Sequence, residues 1–272
     1  LVFSFFKLTA QDSVKNTLTK KIYTFVKKKF MPDKTYAHIN VSVDCVVFGW
    51  SGTDLNVLLI EQKRPEQNKH LPARLALPGD LVLTDEGLDE AADRILEELT
   101  RLRGIYQYQF HTFGNPERVK ELKDQDWLRA FREHPEAHVI TVAYYSLIRM
   151  EDFQPEASSF ASKTQWFKIP EIPELAFDHN EIVNRALSQL RTEVEQKKVG
   201  FELLPEKFTL SQIQNLHEAI LERKLDKRNF RKSIKKLETI IPLNEKQVGV
   251  THKPGQLFSY AENGNEVPAY DN

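Results

Sequence analysis

A single cysteine, Cys45, occurs in 272 residues, which excludes a disulfide framework and agrees with a reducing compartment. No apolar run approaches the ~18 to 20 residues of a membrane span, and the opening LVFSFFKL is too short, with no basic stretch before it, to act as a secretory signal. These absences predict a cytoplasmic protein with no membrane partner. Net charge is −1 with 28% charged residues, so any attraction to a polyanion has to come from a local patch and not from a global field. The ten glycines form no phosphate-cradling loop and no nucleophile elbow. Eight histidines show no metal-ligand spacing: His134 and His138 are four apart, but Pro135 between them opposes a shared helical face. No repeat or low-complexity segment is visible.

The length suffices for two domains, each with its own core. From Asp12 or Ser13, Val14, Leu18, Ile22, Phe25 or Val26 and Phe30 recur at helical spacing among lysines, which predicts an amphipathic basic helix in residues 1–35. Two readings fit it, a helix packed on the domain surface with solvated lysines and an auxiliary contact to DNA. Val41, Val43 and Cys45 alternate with polar residues and lead through Val46 to Phe48. Ser51-Gly52-Thr53-Asp54 then breaks the run before Val57 to Ile60, a β-hairpin with a four-residue turn. Leu75 to Leu77 reads as a short strand, Tyr106 to Phe113 alternates, and Val139 to Ile148 is the strongest strand in the chain. Between these last two, residues 119–138 read as an inserted helical excursion. Trp166-Phe167 marks a further strand and Asn180 to Lys197 a helix, ahead of which Asp178-His179 reads as a cap.

The segment LPGDLVLTDEGLDEAADRILEELTRL, Leu77 to Leu102, is a turn opening into an amphipathic helix. Leu88, Ala91, Ala92, Ile95, Leu96, Leu99 and Leu102 share one arc of the wheel. The segment resembles the Nudix box, with the register set by Arg94. Glu86, Arg94, Leu96, Glu98 and Leu102 match that pattern, whereas Asp80 and Arg101 replace glycines and Ile95 and Leu99 replace two glutamates. Nudix enzymes hold Mg²⁺ or Mn²⁺ beside a pyrophosphate with these helix carboxylates, and hard cations need several oxygens. One of three ligand positions, Glu98, survives here, and Glu97 lies about 100° round the wheel from it. The resemblance therefore implies a Nudix-type α/β/α sandwich with a mixed sheet over residues 36–198, with its hydrolytic centre dismantled and the box reused as the wall of a sensing pocket. Arg64, Glu86, Arg94, Glu98 and Arg118 are the ligand-binding candidates, with Arg94 and Glu98 also spaced to pair with each other.

Residues 199–272 differ in character. Thr209 to Gln212 form a capping box, and Leu210, Ile213, Leu216, Ile220 and Leu221 define one helical face. After a turn, Asp226 caps a second helix containing KRNFRKSIKK, with Phe230, Ile234, Leu237 and Ile241 as its apolar stripe. Val248 to Thr251 and Gln256 to Tyr260 read as two short strands about a turn. Helix, turn, basic helix and hairpin is the order of a winged helix-turn-helix, whose second helix enters the major groove. Arg228, Asn229, Arg231 and Lys232 are candidates for base edges, since arginine pairs with guanine and asparagine with adenine. Lys227, Lys235, Lys236 and Lys253 are candidates for phosphate.

GFELLPEKFTLSQIQNLHEAI with LDKRNFRK, together with FGNPER at Phe113 to Arg118 and VAYY at Val142 to Tyr145, resembles the Nudix-related transcriptional regulators. These join a usually non-catalytic Nudix domain to a winged helix, and they include regulators of NAD metabolism and of sugar utilisation. The resemblance implies a ligand-responsive regulator that binds double-stranded DNA as a homodimer, senses a nucleotide such as an ADP-ribose-like molecule or a sugar, and requires no cofactor. The competing expectation is a Mg²⁺-dependent Nudix hydrolase of a nucleoside diphosphate derivative such as ADP-ribose. It would use Glu98 as metal ligand, helped by Glu86 or Glu97.

Overall fold

The computed structural model of the chain describes residues 39–64, 73–196, 200–251 and 253–260. The basic helix expected in residues 1–35 lies outside the described residues. The first strand, β1 (Ile39–Trp50), is the centre of the fold. Val43, Cys45 and Val47 enter one apolar cluster and Val46, Phe48 and Trp50 the other, so the strand is covered on both faces. The turn Ser51–Asp54 returns the chain into β2 (Leu55–Gln62), with Ser51 Oγ accepting from the Asp54 N–H at 3.0 Å. Two three-residue strands follow, β3 (Arg74–Ala76) and β4 (Gly79–Leu81), then the box helix α1 (Leu88–Thr100).

Beyond α1 come β5 (Tyr108–Phe113), helix α2 (Leu122–Phe131), β6 (His138–Arg149), β7 (Ala161–Lys168) and helix α3 (His179–Glu195). The strand order is β3-β2-β1-β6-β5, with β7 on β2 and β4 on β1. β1 and β6 run parallel over their whole length, from Ile39 opposite His138 to Trp50 opposite Arg149. The other side of β1 is divided: Ser42 to Asp44 pair with β4 and Phe48 to Trp50 with β2. A mixed sheet with α1 on one face and α3 on the other is the Nudix-type sandwich that the sequence predicts.

Ile95 and Leu99 are 0% and 1% exposed and pack with Cys45, Val47 and Leu58 beneath α1. On the opposite face, Ile182, Leu190 and Val194 of α3 belong to a cluster that continues into the C-terminal residues Leu216, Ile220, Ile234 and Phe258. One apolar core thus joins the sheet to the last third of the chain.

In that last third, α4 (Leu210–Leu221) carries the predicted capping box: the Gln212 N–H donates to Thr209 Oγ1 at 3.2 Å and the Thr209 N–H to Gln212 Oε1 at 2.8 Å. Helix α5 (Lys227–Ile234) begins with the Asn229 N–H donating to Asp226 Oδ1 at 2.8 Å. The wing consists of β8 (Ile240–Lys246) and β9 (Gln256–Tyr260), antiparallel to each other. Two expectations fail here. Ile241 is in β8 and 43% exposed, not on the stripe of α5, and the first wing strand is not Val248 to Thr251, since Val248 is 91% exposed outside it. Pro242 supplies the reason: it has no N–H to donate and biases the residue before it away from helix, so Ile240 and Ile241 become strand.

Candidate functional site

A small pocket opens where β1, β4, the start of α3 and the inserted helix α2 meet, with a cavity volume of about 30 Å³. Ser42 and Asp44 alternate with Val43 and Cys45, so they leave the sheet on the face away from α1. Arg118, 4% exposed, organises this face. Its Nε and Nη2 donate to the two oxygens of Asp178 at 2.8 and 2.7 Å, and its Nη1 donates to Thr141 Oγ1 at 2.6 Å. Thr141 Oγ1 in turn lies 2.5 Å from Ser42 Oγ, and Asp44 stands 3.8 Å from Arg118. A bidentate, buried arginine of this kind holds its partners by geometry as well as charge.

His179, the first residue of α3, completes the polar floor. The Leu77 N–H donates to its Nδ1 at 2.9 Å, which leaves the ring proton on Nε2, 3.5 Å from Asp44 Oδ1. Burial holds the imidazole neutral, with its pKa pushed down to about 3. Burial likewise raises Asp44 above the ordinary carboxylate value, opposed by the charge of Arg118, and raises Asp80.

The inserted helix makes the outer wall. Trp127 is stacked on Phe131 at 4.6 Å and meets Phe160 and Phe177 edge-on at 5.9 and 6.1 Å. Asp124 fixes α2 from beneath: it pairs with Arg74 and accepts from the Phe177 N–H at 3.1 Å. Arg132, at the C-terminal end of α2, has its pKa lowered by burial, opposed by the charges of Asp80 and Asp44.

Of the five ligand-binding candidates, the structure places Arg118 in the pocket lining. Arg64 is exposed just after β2. Glu86, Arg94 and Glu98 meet one another instead: Arg94 donates to Glu86 at 2.8 and 2.7 Å, to the Leu81 carbonyl at 2.9 Å and to Glu98 at 3.2 Å. They clamp the loop before α1 onto the helix. Glu97 is taken up by Arg103 at 2.5 Å. Contrary to expectation, the helical part of the box is not a pocket wall; its turn is, through Leu77, Gly79 and Asp80. Nor do Ile95 and Leu99 line a vacated metal site, because both point into the core.

The residues present do not fit a Nudix magnesium centre. Glu98 is half exposed and bonded to Arg94, and among the described residues no group of three or more His, Cys, Asp or Glu side chains converges to hold a metal. Asp44, Gln62, Trp127, Phe177 and His179 were not among the expected site residues. Asp44 carried a signal, as the one charged residue of β1, and so did the adjacent pair Asp178-His179 at a helix start.

The second surface is α5. Lys227, Arg228, Asn229, Lys232, Lys235 and Lys236 are exposed on or just beyond it, while Ile234 is buried. Arg231 differs from its neighbours: it is half buried and its Nη2 donates to Ser211 Oγ at 3.1 Å, bracing α5 against α4. Lys253 is exposed in the wing loop.

Fold and surfaces define a Nudix-type sandwich carrying a C-terminal winged helix. The chain belongs to the Nudix family: the NUDIX domain model matches residues 38–186, and the model of the NrtR DNA-binding winged helix domain matches residues 200–260. Among curated proteins it is similar to the ADPR responsive transcriptional repressor NtrR of Acinetobacter baylyi, 26% identical over 225 residues, covering 81% of this chain and 82% of the relative. Among solved structures, a MutT/nudix family protein from Enterococcus faecalis superposes with a TM-score of 0.65 at 20% identity, covering 94% of this chain and 100% of that one. Shewanella oneidensis NrtR complexed with a 27mer DNA superposes at 0.59 with 23% identity, covering 81% and 93%. At these identities the structural likeness is one of fold.

Proposed function

We propose that this chain is a ligand-responsive, DNA-binding transcriptional regulator of the cytoplasm, acting as a homodimer. Its Nudix domain senses a nucleotide or sugar metabolite in the Arg118 pocket, and its winged helix reads double-stranded DNA. The observation that carries this reading is the cationic face of α5, presented by a capped helix pair with a wing beside it. The NrtR-type winged-helix match and the curated relative, a repressor responsive to ADPR, support it.

Helix α3 supplies a route between the two functions. Its first turn holds His179 and adjoins Asp178 at the pocket. Near its last turn, Arg191 donates to the Ile220 carbonyl at 2.8 Å, and Glu195 pairs with Arg223 at 2.6 Å. A ligand that favours one placement of α3 shifts the placement of the reading helices. The chain requires no cofactor in this reading; magnesium belongs to the hydrolase alternative, whose helix ligand Glu98 is engaged by Arg94.

The test is a gel shift across a salt series with DNA from the gene's own neighbourhood. Arg228→Ala/Lys232→Ala should weaken binding at least tenfold and reduce the slope of log K against log salt by about 0.9 per lost phosphate contact. Equal binding by wild type and variant would remove α5 as the reading helix.

A further inference from the structure

We propose that the fold carries a second small-molecule site, where the sheet meets the winged helix, for a flat, uncharged aromatic ligand bearing a carbonyl oxygen. The site is a cavity of about 380 Å³ between the ends of β1 and β6 and the segment that leads into α4. That volume lies within the range of ligand pockets, about 300–1,000 Å³, and a junction between domains is a common place for one. Trp50 stands six positions beyond Asp44 on β1, about 20 Å of extended chain, so this cavity is distinct from the Arg118 pocket.

The floor follows from strand register. Trp50 and Arg149 are partners at the C-terminal ends of the parallel strands β1 and β6, so their side chains leave the sheet side by side on the face that α3 covers. Met150 follows, and Leu204 and Pro205 close the cavity from the C-terminal side. Trp50 is 6% exposed, yet its indole N–H has no hydrogen-bond partner among the described residues. A buried tryptophan ordinarily finds one. Gln212, also in the lining, supplies a second idle donor. Its Oε1 accepts from the Thr209 N–H in the capping box of α4, and its Nε2 has no partner among the described residues.

Charge decides against ionic ligands. Arg149 is matched by Asp152 at 2.7 Å and Glu151 at 3.4 Å, so an anion would meet two carboxylates and no unmatched cation. A cation would bring further donors to a site whose idle groups already donate, and it would lose hydration against Trp50, Met150, Leu204 and Pro205. A carbonyl oxygen has two lone pairs and can accept from both donors. A flat ring packs on the indole and on the Met150 thioether.

NMR titration of the isotope-labelled full chain with naphthalene-2-carboxamide, naphthalene-2-carboxylate and naphthalene-2-carboxamidine tests the proposal, because the three share one shape and differ in charge. The three tryptophans give three indole N–H signals, and Trp50→Phe identifies that of Trp50. The carboxamide should shift this signal saturably and bind about tenfold or more tightly than either ion. Gln212→Glu keeps the capping-box acceptor and removes the Nε2 donor, so it should weaken the carboxamide about tenfold while unfolding stays cooperative. Calorimetry on that variant reads the same loss if Trp50→Phe does not fold. A carboxamide that leaves the Trp50 signal unmoved, moves that of Trp127 in its place, binds no more tightly than the ions, or binds Gln212→Glu as well as the wild type overturns the proposal.

Discussion

Asp44 and Gly79 lie opposite each other in the β1–β4 pairing, so close that a β-carbon on Gly79 would stand 1.8 Å from Asp44 Oδ1 and 3.1 Å from the Val43 carbonyl. The glycine is what lets a carboxylate occupy the pocket floor. Gly79→Ala must displace either the carboxylate, flanked by Arg118 and His179, or β4 itself. Overpacking of this kind costs about 1–3 kcal/mol, and weaker ligand binding should accompany it because Asp44 moves. Thermal unfolding checks this, and an unchanged Tm would mean that the pocket floor yields freely.

Arg118 should be worth more to stability than its surface counterparts. Replacing it with Met strands Asp178 and Asp44 at 14% and 8% side-chain exposure. Breaking a buried pair by removing one partner costs about 3–5 kcal/mol. Arg118→Lys should fall between, since one ammonium cannot satisfy both Asp178 oxygens and Thr141. Adding Asp178→Asn to Arg118→Met should recover part of the loss in urea unfolding. By contrast, Glu98→Gln removes one half-exposed partner of Arg94 and should cost about 0–1 kcal/mol.

The fold was legible in the sequence wherever a periodic apolar pattern matched its final partner, as in β1, β6, α1 and α4. The wing shows where this fails. Its first strand follows directly on a basic helix, and the helical spacing of Leu237 and Ile241 masks the boundary that Pro242 imposes. The site was less legible than the fold, because its floor joins residues far apart in the chain: the β1–β4 register brings Ser42 and Asp44 to Gly79 and Asp80, Arg118 is held by Thr141 of β6 and by Asp178, and His179 by the Leu77 N–H. Glu86, Arg94 and Glu98 retain the pattern of a catalytic motif but serve one another as a loop clamp.

Restoring the two missing box glutamates should not restore hydrolysis. Ile95 and Leu99 are buried in an apolar cluster with Cys45 and Leu58, where a new carboxylate would be taken out of water. A buried unpaired charge costs several kcal/mol, of order 3–5 for each site. The Ile95→Glu/Leu99→Glu variant is therefore expected to lose cooperative unfolding without cleaving ADP-ribose in the presence of Mg²⁺. The wild type should show no Mg²⁺-dependent cleavage either. A folded variant with activity would mean that α1 turns to bring these positions to the surface.

His179 should make the fold acid-sensitive in a defined window. In the folded chain its Nδ1 accepts from Leu77, its Nε2 faces Asp44, and Arg118 stands near enough to oppose a further positive charge. Burial and that arginine outweigh the attraction of Asp178, holding the pKa at about 3 instead of 6.5. Between those values the unfolded chain binds a proton that the folded chain does not, so stability falls as pH falls, by up to about 1.4 kcal/mol per pH unit. Asp44 and Asp80 act in the opposite direction. Their raised values mean that the folded chain keeps protons that the unfolded chain has released, so just above pH 3.8 they favour the fold as pH falls. Between about pH 6 and 5 the unfolded imidazole is mostly protonated and the folded one is not, so His179 lowers stability there as pH falls, and Asp44 and Asp80 offset that loss to the extent that their values are raised. His179→Asn keeps an acceptor for the Leu77 N–H and cannot titrate, so its denaturant midpoint should be flatter over that interval. If the wild type and His179→Asn show parallel profiles from pH 7 to 5, His179 is not the group responsible.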